Sequence, residues 1–382
     1  MNLNFCHRIV ISTVTIFLII SVSAEVLSFQ ANVNTAVISG TVVDNSTGEP
    51  LLSTNVYLSN TLMGTASDSS GAFKIRRIPL GKYRLVVSYI GYETEVRTVE
   101  IESSKEFTFN FRLKQSVDQM PEIVISAKQQ KEWKKNLKRF EQEFLGLSPN
   151  ADKCRILNPE VLFFEIDDDS REFSADALDI LIIENNALGY KLKINLLEFI
   201  ITSESVDYRF EPLFEEMIPD DLKEVIKWKE NRLKIYKGSL KHFLISLTEG
   251  RANEEGFITA FNDNLPPNIN MELVVNPDSL LVDTGRPFEK RFNFTDVSDI
   301  LMVQYNPDKD SKFIEVFIPH KDGGYAKMKV PAVRSWLVIA REPAVFNING
   351  VFEKPKHVIQ QGYWTYHRIA DLLPFEYRPD KK

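Results

Sequence analysis

The segment from Ile38 to Leu113 constrains the fold most, because its apolar residues recur with a period of two and turn chemistry separates the runs. Phe107, Phe109, Phe111 and Leu113 alternate with Thr108, Asn110 and Arg112, which puts four apolar side chains on one face of a strand. Tyr83, Leu85, Val87 and Tyr89 repeat the pattern, as do Ile38, Gly40 and Val42. Asn45–Gly48 and Asp68–Gly71 offer side-chain acceptors for a tight turn and a glycine for positive φ, and Pro79-Leu80-Gly81 fixes φ at the start of another. This spacing predicts an N-terminal antiparallel β-sandwich of about seven strands over residues 36–114.

The same residues carry a resemblance. Gly40–Asp44, Thr47–Leu51, Asn55–Tyr57, Gly64-Thr65, Asp68–Gly71, Phe73, Ile78-Pro79, Gly81–Tyr83 and Gly91-Tyr92 resemble the carboxypeptidase-like regulatory domain. The resemblance implies a transthyretin-like, carbohydrate-binding-like sandwich, which also occurs at the N-terminus of TonB-dependent outer-membrane transporters. It implies an accessory domain and brings no catalytic residues. Fold alone does not assign an activity.

Residues 1–24 read as a signal peptide: Arg8 supplies the positive charge, Ile9–Val22 an apolar run, and Val22-Ser23-Ala24 compact residues before a cut at Glu25. Cys6 precedes the apolar run, the wrong side for a lipoprotein signal. The mature chain then keeps one cysteine, Cys154, so no intramolecular disulfide is expected. No other stretch is long and apolar enough for a spanning helix, so the mature chain is expected to lack a transmembrane span. The net charge of −7 argues against a nucleic-acid partner. The expected location is the periplasm or the outer-membrane surface.

Residues 115–130 read as a linker. Within it Glu122–Ala127 resembles the segment that precedes plug and barrel in the transporters. The roughly 250 residues that follow are too few for a plug plus a large barrel and lack its repeating alternation, so a transporter is not expected. Residues 131–146 read as an amphipathic helix, with Trp133, Leu137, Phe140 and Phe144 in one stripe, lysines on the opposite side and Gly146 as a stop. Residues 154–378 read as a larger α+β domain. Strands are expected at Val161–Ile166, Ala177–Ile183, Tyr190–Ile201, Val206–Phe210, Ile300–Tyr305, Lys312–Phe317, Ser335–Ala340 and Ala344–Asn349. Helices are expected over Asp220–Tyr236, with Leu222, Val225, Ile226, Leu233 and Ile235 as core candidates, and, capped by Ser239, to about Leu247 through Leu240, Phe243, Leu244 and Leu247. Asp322–Gly324 reads as a hairpin turn before Tyr325–Val330. The whole layout resembles a recurrent arrangement of Gram-negative envelope proteins through Cys154–Glu160, Ile183–Asn185, Leu188–Tyr190, Gly238–Leu240, Gly362–Trp364 and Ala370–Pro374.

The chain offers little chemistry. His242, His320, His357 and His367 lie far apart and form no H-x-H, H-E-x-x-H or H-x-x-E spacing, so no metal and no cofactor is expected. No G-x-S-x-G elbow and no phosphate-binding glycine pattern occurs, so no catalytic residue is assigned and the protein is not expected to be an enzyme. Asp167–Asp169 reads as a solvated turn rather than a cation site. Tyr363, Trp364 and Tyr366 form the candidate binding surface; in a strand, Trp364 and Tyr366 would share a face, where core packing is the commoner fate and a ligand platform the alternative. The functional expectation is a non-catalytic envelope scaffold or interaction module that binds another envelope protein or a surface glycan. The alternatives are a carbohydrate-binding accessory protein and a hydrolase with dispersed site residues.

Overall fold

The computed structural model describes residues 35–116, 127–167, 169–203, 205–266, 272–294, 300–306, 314–319, 325–330, 332–340 and 342–379. The expected signal peptide, most of the linker with all of its Glu122–Ala127 run but the last residue, His320 and the Asp322–Gly324 turn lie outside these residues.

The sandwich comprises β1 (Thr35–Asp44), β2 (Asn55–Leu58), β3 (Gly64–Ala66), β4 (Ala72–Pro79), β5 (Gly81–Ser88), β6 (Glu95–Ile101), β7 (Glu106–Thr108) and β8 (Phe111–Leu113). One sheet runs β4-β1-β7, with β8 continuing along β1; the other runs β3-β2-β5-β6. Ile38, Val42, Leu85, Val87 and Ile101 fill the space between them. The expected Phe107–Leu113 strand is broken at Phe109–Asn110, and both halves run parallel to β1, the one departure from antiparallel order in the sandwich. The break sits over Gly40: the Phe109 carbonyl oxygen lies 1.7 Å from where a Cβ on Gly40 would be. Asn110 Oδ1 accepts from the Thr41 amide (3.0 Å) and secures the crossing. Both turns form, but the first takes its main acceptor from Asp44, one residue before the expected Asn45–Gly48: Asp44 Oδ1 accepts from the Ser46 and Thr47 amides, while Asp68 Oδ1 accepts from those of Ser70 and Ala72 as expected.

The middle unit holds α1 (Ala127–Leu145), β9 (Cys154–Ile156), β10 (Leu162–Ile166), β11 (Phe173–Ala177), β12 (Leu181–Asn185), β13 (Tyr190–Ile201) and β14 (Val206–Glu216). β13 pairs with β12 and β11 along one edge and with β14 along the other. The predicted stripe on α1 closes this sheet: Phe140 and Phe144 are fully buried and meet Phe199 at 4.8 and 5.8 Å. Trp133 Nε1 donates to the Leu162 carbonyl (3.0 Å). The expected strand Ala177–Ile183 is instead the end of β11, a turn and the start of β12. Polar groups make the turn: Asp179 Oδ1 accepts from the Ile180 amide (2.7 Å), and Asn158 Nδ2 donates to the Ile180 carbonyl (2.9 Å).

The third unit follows two capped helices, α2 (Leu222–Tyr236) and α3 (Leu240–Thr248), whose N-caps Asp221 and Ser239 accept from the Glu224 and His242 amides. Its strands are β15 (Phe257–Asn262), β16 (Glu272–Val275), β17 (Leu281–Asp283), β18 (Glu289–Phe292), β19 (Ile300–Tyr305), β20 (Ile314–Pro319), β21 (Tyr325–Val330), β22 (Val333–Ile339), β23 (Val345–Asn347) and β24 (Val358–Gly362). A five-stranded sheet, β16-β15-β19-β22-β24, supports a core built on Phe243, Phe257, Leu301, Leu337 and Phe346. The 154–378 region therefore contains two hydrophobic cores rather than one.

The three units interlock. The β2–β3 loop of the sandwich reaches the free edge of β14: the Asn60 amide donates to the Pro212 carbonyl (2.7 Å) and the Phe214 amide to the Thr61 carbonyl (2.9 Å). Proline is tolerated there because its missing N–H would face that outer edge rather than β13. Arg84 pairs with the buried Glu211, whose carboxyl burial pushes upward, and Tyr57 Oη donates to the Glu211 carbonyl (2.8 Å). The C-terminal segment then crosses all three units, with Ile369 in the middle core, Phe375 in the sandwich core, and Lys241 of α3 donating to the Pro374 carbonyl.

Candidate functional site

A cleft of about 110 Å³ opens where the loop after α1, the last turns of α2 and the 3₁₀ turn Tyr363–Tyr366 converge. Asn231, Lys234, Tyr363, Tyr366, His367 and Asp371 carry its polar chemistry. Asp371 is buried, and its Oδ1 accepts from Ser148 Oγ (3.0 Å) and Asn150 Nδ2 (2.7 Å). Its Oδ2 lies 3.3 Å from His367 Nδ1, one helical turn away in sequence. Neither ring nitrogen of His367 has a hydrogen-bond partner, although both are enclosed by protein. The Tyr363 ring meets His367 edge-on at 4.8 Å and stands perpendicular to Tyr366 at 6.3 Å. Burial, with the Asp371 carboxylate nearby, pushes the Tyr363 phenol up to about 12.

This corrects the expectation of a strand with Trp364 and Tyr366 on one face. Over four residues the chain forms a 3₁₀ turn, which turns Trp364 inward: it is buried, donates from Nε1 to the Gly238 carbonyl (2.9 Å) and packs 5.8 Å from Phe243. Trp364 is a core residue, while Tyr363 and Tyr366 line the cleft. The remaining members come from separate stretches, which is why sequence reading missed them; the i,i+4 spacing of His367 and Asp371 was the only local signal.

A histidine, a carboxylate and a hydroxyl meet here, as a hydrolase would need, yet their order differs from a nucleophile–base–orienter relay. Ser148 Oγ donates to Asp371 and not to His367, so this arrangement does not activate it as a nucleophile. Cys154 Sγ donates to the Asn150 carbonyl (3.4 Å), and burial pushes its thiol up to about 12, far from the thiolate that a nucleophile requires. Among the described residues no group of three or more His, Cys, Asp or Glu side chains is placed to hold a metal ion. Asp167 is spent on a turn, its Oδ1 accepting from the Asp169 and Ser170 amides; Asp168 lies outside the described residues.

His242 serves stability instead. Its Nδ1 accepts from the Gly238 amide (3.1 Å), and the rings of Tyr236, Phe257 and Tyr305 surround it. Burial pushes it down to about 4, against the favourable pull of Glu255. A folded value below the ordinary 6.5 means that stability is full above about pH 6.5 and is lost as pH falls through 4. The expected loss is about 3 kcal/mol across that window. Thermal melts of the wild type between pH 7 and 4 check this. His242→Gln, whose oxygen can accept the same amide, should show a shallower fall; identical pH profiles would refute the assignment.

A second cleft, about 450 Å³, lies between the sandwich and the third unit and is lined by Lys82, Arg84, Asn347, Glu353 and Lys354 among others. Its charges compensate one another: Lys82 Nζ is shared by Glu289 (3.0 Å), Glu100 (3.4 Å) and Glu353. It is a clasp between units.

Residues 38–125 match the family model of the CarboxypepD_reg-like domain. The N-terminal sandwich is a carboxypeptidase-regulatory-like domain. The match ends before α1 and does not extend into the two-core region. No curated protein matches the chain. Among solved structures, a type II cohesin–X-dockerin complex from Acetivibrio cellulolyticus is 22% identical, over 20% of this chain and 52% of that one, at a TM-score of 0.17. The minor pilin GBS52 from Streptococcus agalactiae is 22% identical, over 24% of this chain and 49% of that one, at 0.19. The chain thus spans about half the length of these structures, and at such TM-scores the likeness carries no functional weight. Among the described residues no helix is long and apolar enough to cross a membrane.

Proposed function

We propose that the chain is an exported, non-catalytic protein of the cell envelope whose regulatory-like domain and two-core region form one platform for another envelope protein. The observation that carries this reading is an exposed aliphatic row at the start of α2: Ile218 is 92% exposed, and Leu222 (80%) and Ile226 (55%), expected in the core from their spacing, face water instead because α2 turns Trp228 and Ile235 inward. Leu222 and Ile226 are one helical turn apart, so their side chains adjoin. Grouped aliphatics left in water mark a contact surface more often than isolated ones do. Export is supported by the basic and apolar pattern of residues 1–24. A photo-crosslinking residue placed at Leu222 or Ile226 in intact cells tests the platform. Recurrent capture of one envelope protein, lost when the neighbouring aliphatic becomes Asp, is the expected result. Equal capture from the exposed Lys131 on α1 would sink it.

A second reading, glycan capture, is favoured by the cleft at His367, which combines an enclosed imidazole, a neutral phenol, an amide and a carboxylate. A hydrolase is the weakest reading, because the hydroxyl at hand is bonded to the carboxylate rather than to a base.

A further inference from the structure

We infer that the cleft at His367 binds a single terminal sugar residue, a neutral pyranose with free hydroxyls. The inference rests on the glycan-capture reading and gives it a place and a ligand class. Its starting point is the unmet demand of His367, since a buried polar atom without a partner costs about 1–3 kcal/mol. A hydroxyl answers that demand with either tautomer, because it both donates and accepts.

The charges of the walls select a neutral ligand. A carboxylate or phosphate would enter beside the buried Asp371, and an ammonium would enter beside Lys234. A single charge of either sign meets one like and one opposite wall, so neither sign gains from the whole cleft, whereas a polyol can donate to the one wall and accept from the other. Leu147, Pro149 and Ile235 supply apolar wall for the C–H face of a ring. The perpendicular Tyr363 and Tyr366 offer no shared plane, so an extended run of stacked sugars has no platform. The cleft is about a quarter the size of the one between the sandwich and the third unit, about 110 against 450 Å³, which favours a single ring at a chain end over an extended chain.

The test is ligand-observed saturation-transfer NMR on the full chain with free glucose, galactose, mannose, rhamnose and N-acetylglucosamine, alongside a glycan array. At least one neutral sugar is expected to receive saturation. Tyr366→Ala and His367→Ala should each weaken it about tenfold, with the melting temperature kept within a few degrees. Should either variant fail to fold, the His367 imidazole signals of labelled wild-type protein replace it; they should shift on adding sugar. Sugar binding that leaves the variants and the His367 signals unchanged would overturn the cleft while sparing glycan capture. No binding to any sugar or array glycan would overturn both. Displacement of the sugar by charged sugar acids of higher affinity would overturn the neutral class.

Discussion

Deleting residues 369–382 is expected to unfold the chain rather than fray its end. Ile369 and Ala370 are fully buried in the middle unit, and Asn185 Nδ2 donates to the Ala370 carbonyl (2.9 Å). Asp371 holds the Ser148–Asn150 loop, and Phe375 enters the sandwich core while its amide donates to the Asn60 carbonyl (2.7 Å). Tyr377 packs on Tyr236 at 5.7 Å. Burying Ile369 and Phe375 contributes about 1.5–3 kcal/mol each. Stranding the Asn185 amide, the Ser148–Asn150 donors and Lys241 costs about 1–3 kcal/mol apiece. The sum rivals the 5–15 kcal/mol by which a folded chain of ordinary size survives. Circular dichroism melting checks it: the truncated chain should lose its cooperative transition, and a transition within a few degrees of the wild type would refute the bridging role.

Gly40→Ala is expected to destabilise the regulatory-like domain by about 3 kcal/mol or more, at the top of the range for forcing a methyl into a packed site. The new Cβ would lie 1.7 Å from the Phe109 oxygen and 2.6 Å from its carbonyl carbon. Both are backbone atoms, so no rotamer change relieves the clash. Relief requires β7 and β8 to leave β1, which opens the core over Phe111 and Leu113. Gly48→Ala is the matched control: its φ of +75° carries a strain of about 1–2 kcal/mol, but nothing lies within 4 Å of the added atom. Denaturant titrations of the two variants should separate clearly, and equal losses would show that the crossing at Gly40 relaxes.

Much of the fold was legible before any contact was known. The alternation of Tyr83–Tyr89 and Phe107–Leu113, the turns at Asn45–Gly48 and Asp68, the stripe on α1 and the caps at Asp221 and Ser239 are set by neighbours within a few residues. Sequence spacing reports such interactions directly. Other features failed for the complementary reason. The break at Phe109 answers to Gly40, about seventy residues earlier, and the turn at Leu178–Ile180 answers to Asn158. The spacing around Trp364 allowed both core packing and a ligand platform, and its core partners, Gly238 and Phe243, lie more than a hundred residues away.

The sequence by itself determined the regulatory-like sandwich, the positions of the helices and the buried stripe of α1, because periodicity and turn chemistry act over short chain distances; on α2 it misplaced the face, since Leu222 and Ile226 are exposed and Trp228 is buried. Only the tertiary structure decided that the 154–378 region carries two cores, that the C-terminal segment joins all three units, and that His367, Asp371, Asn231 and Tyr366 share one cleft. Those outcomes depend on which apolar faces find one another and on which polar groups are then left enclosed. That balance is set by burial and hydrogen bonding between residues far apart in the chain, and no local pattern encodes it.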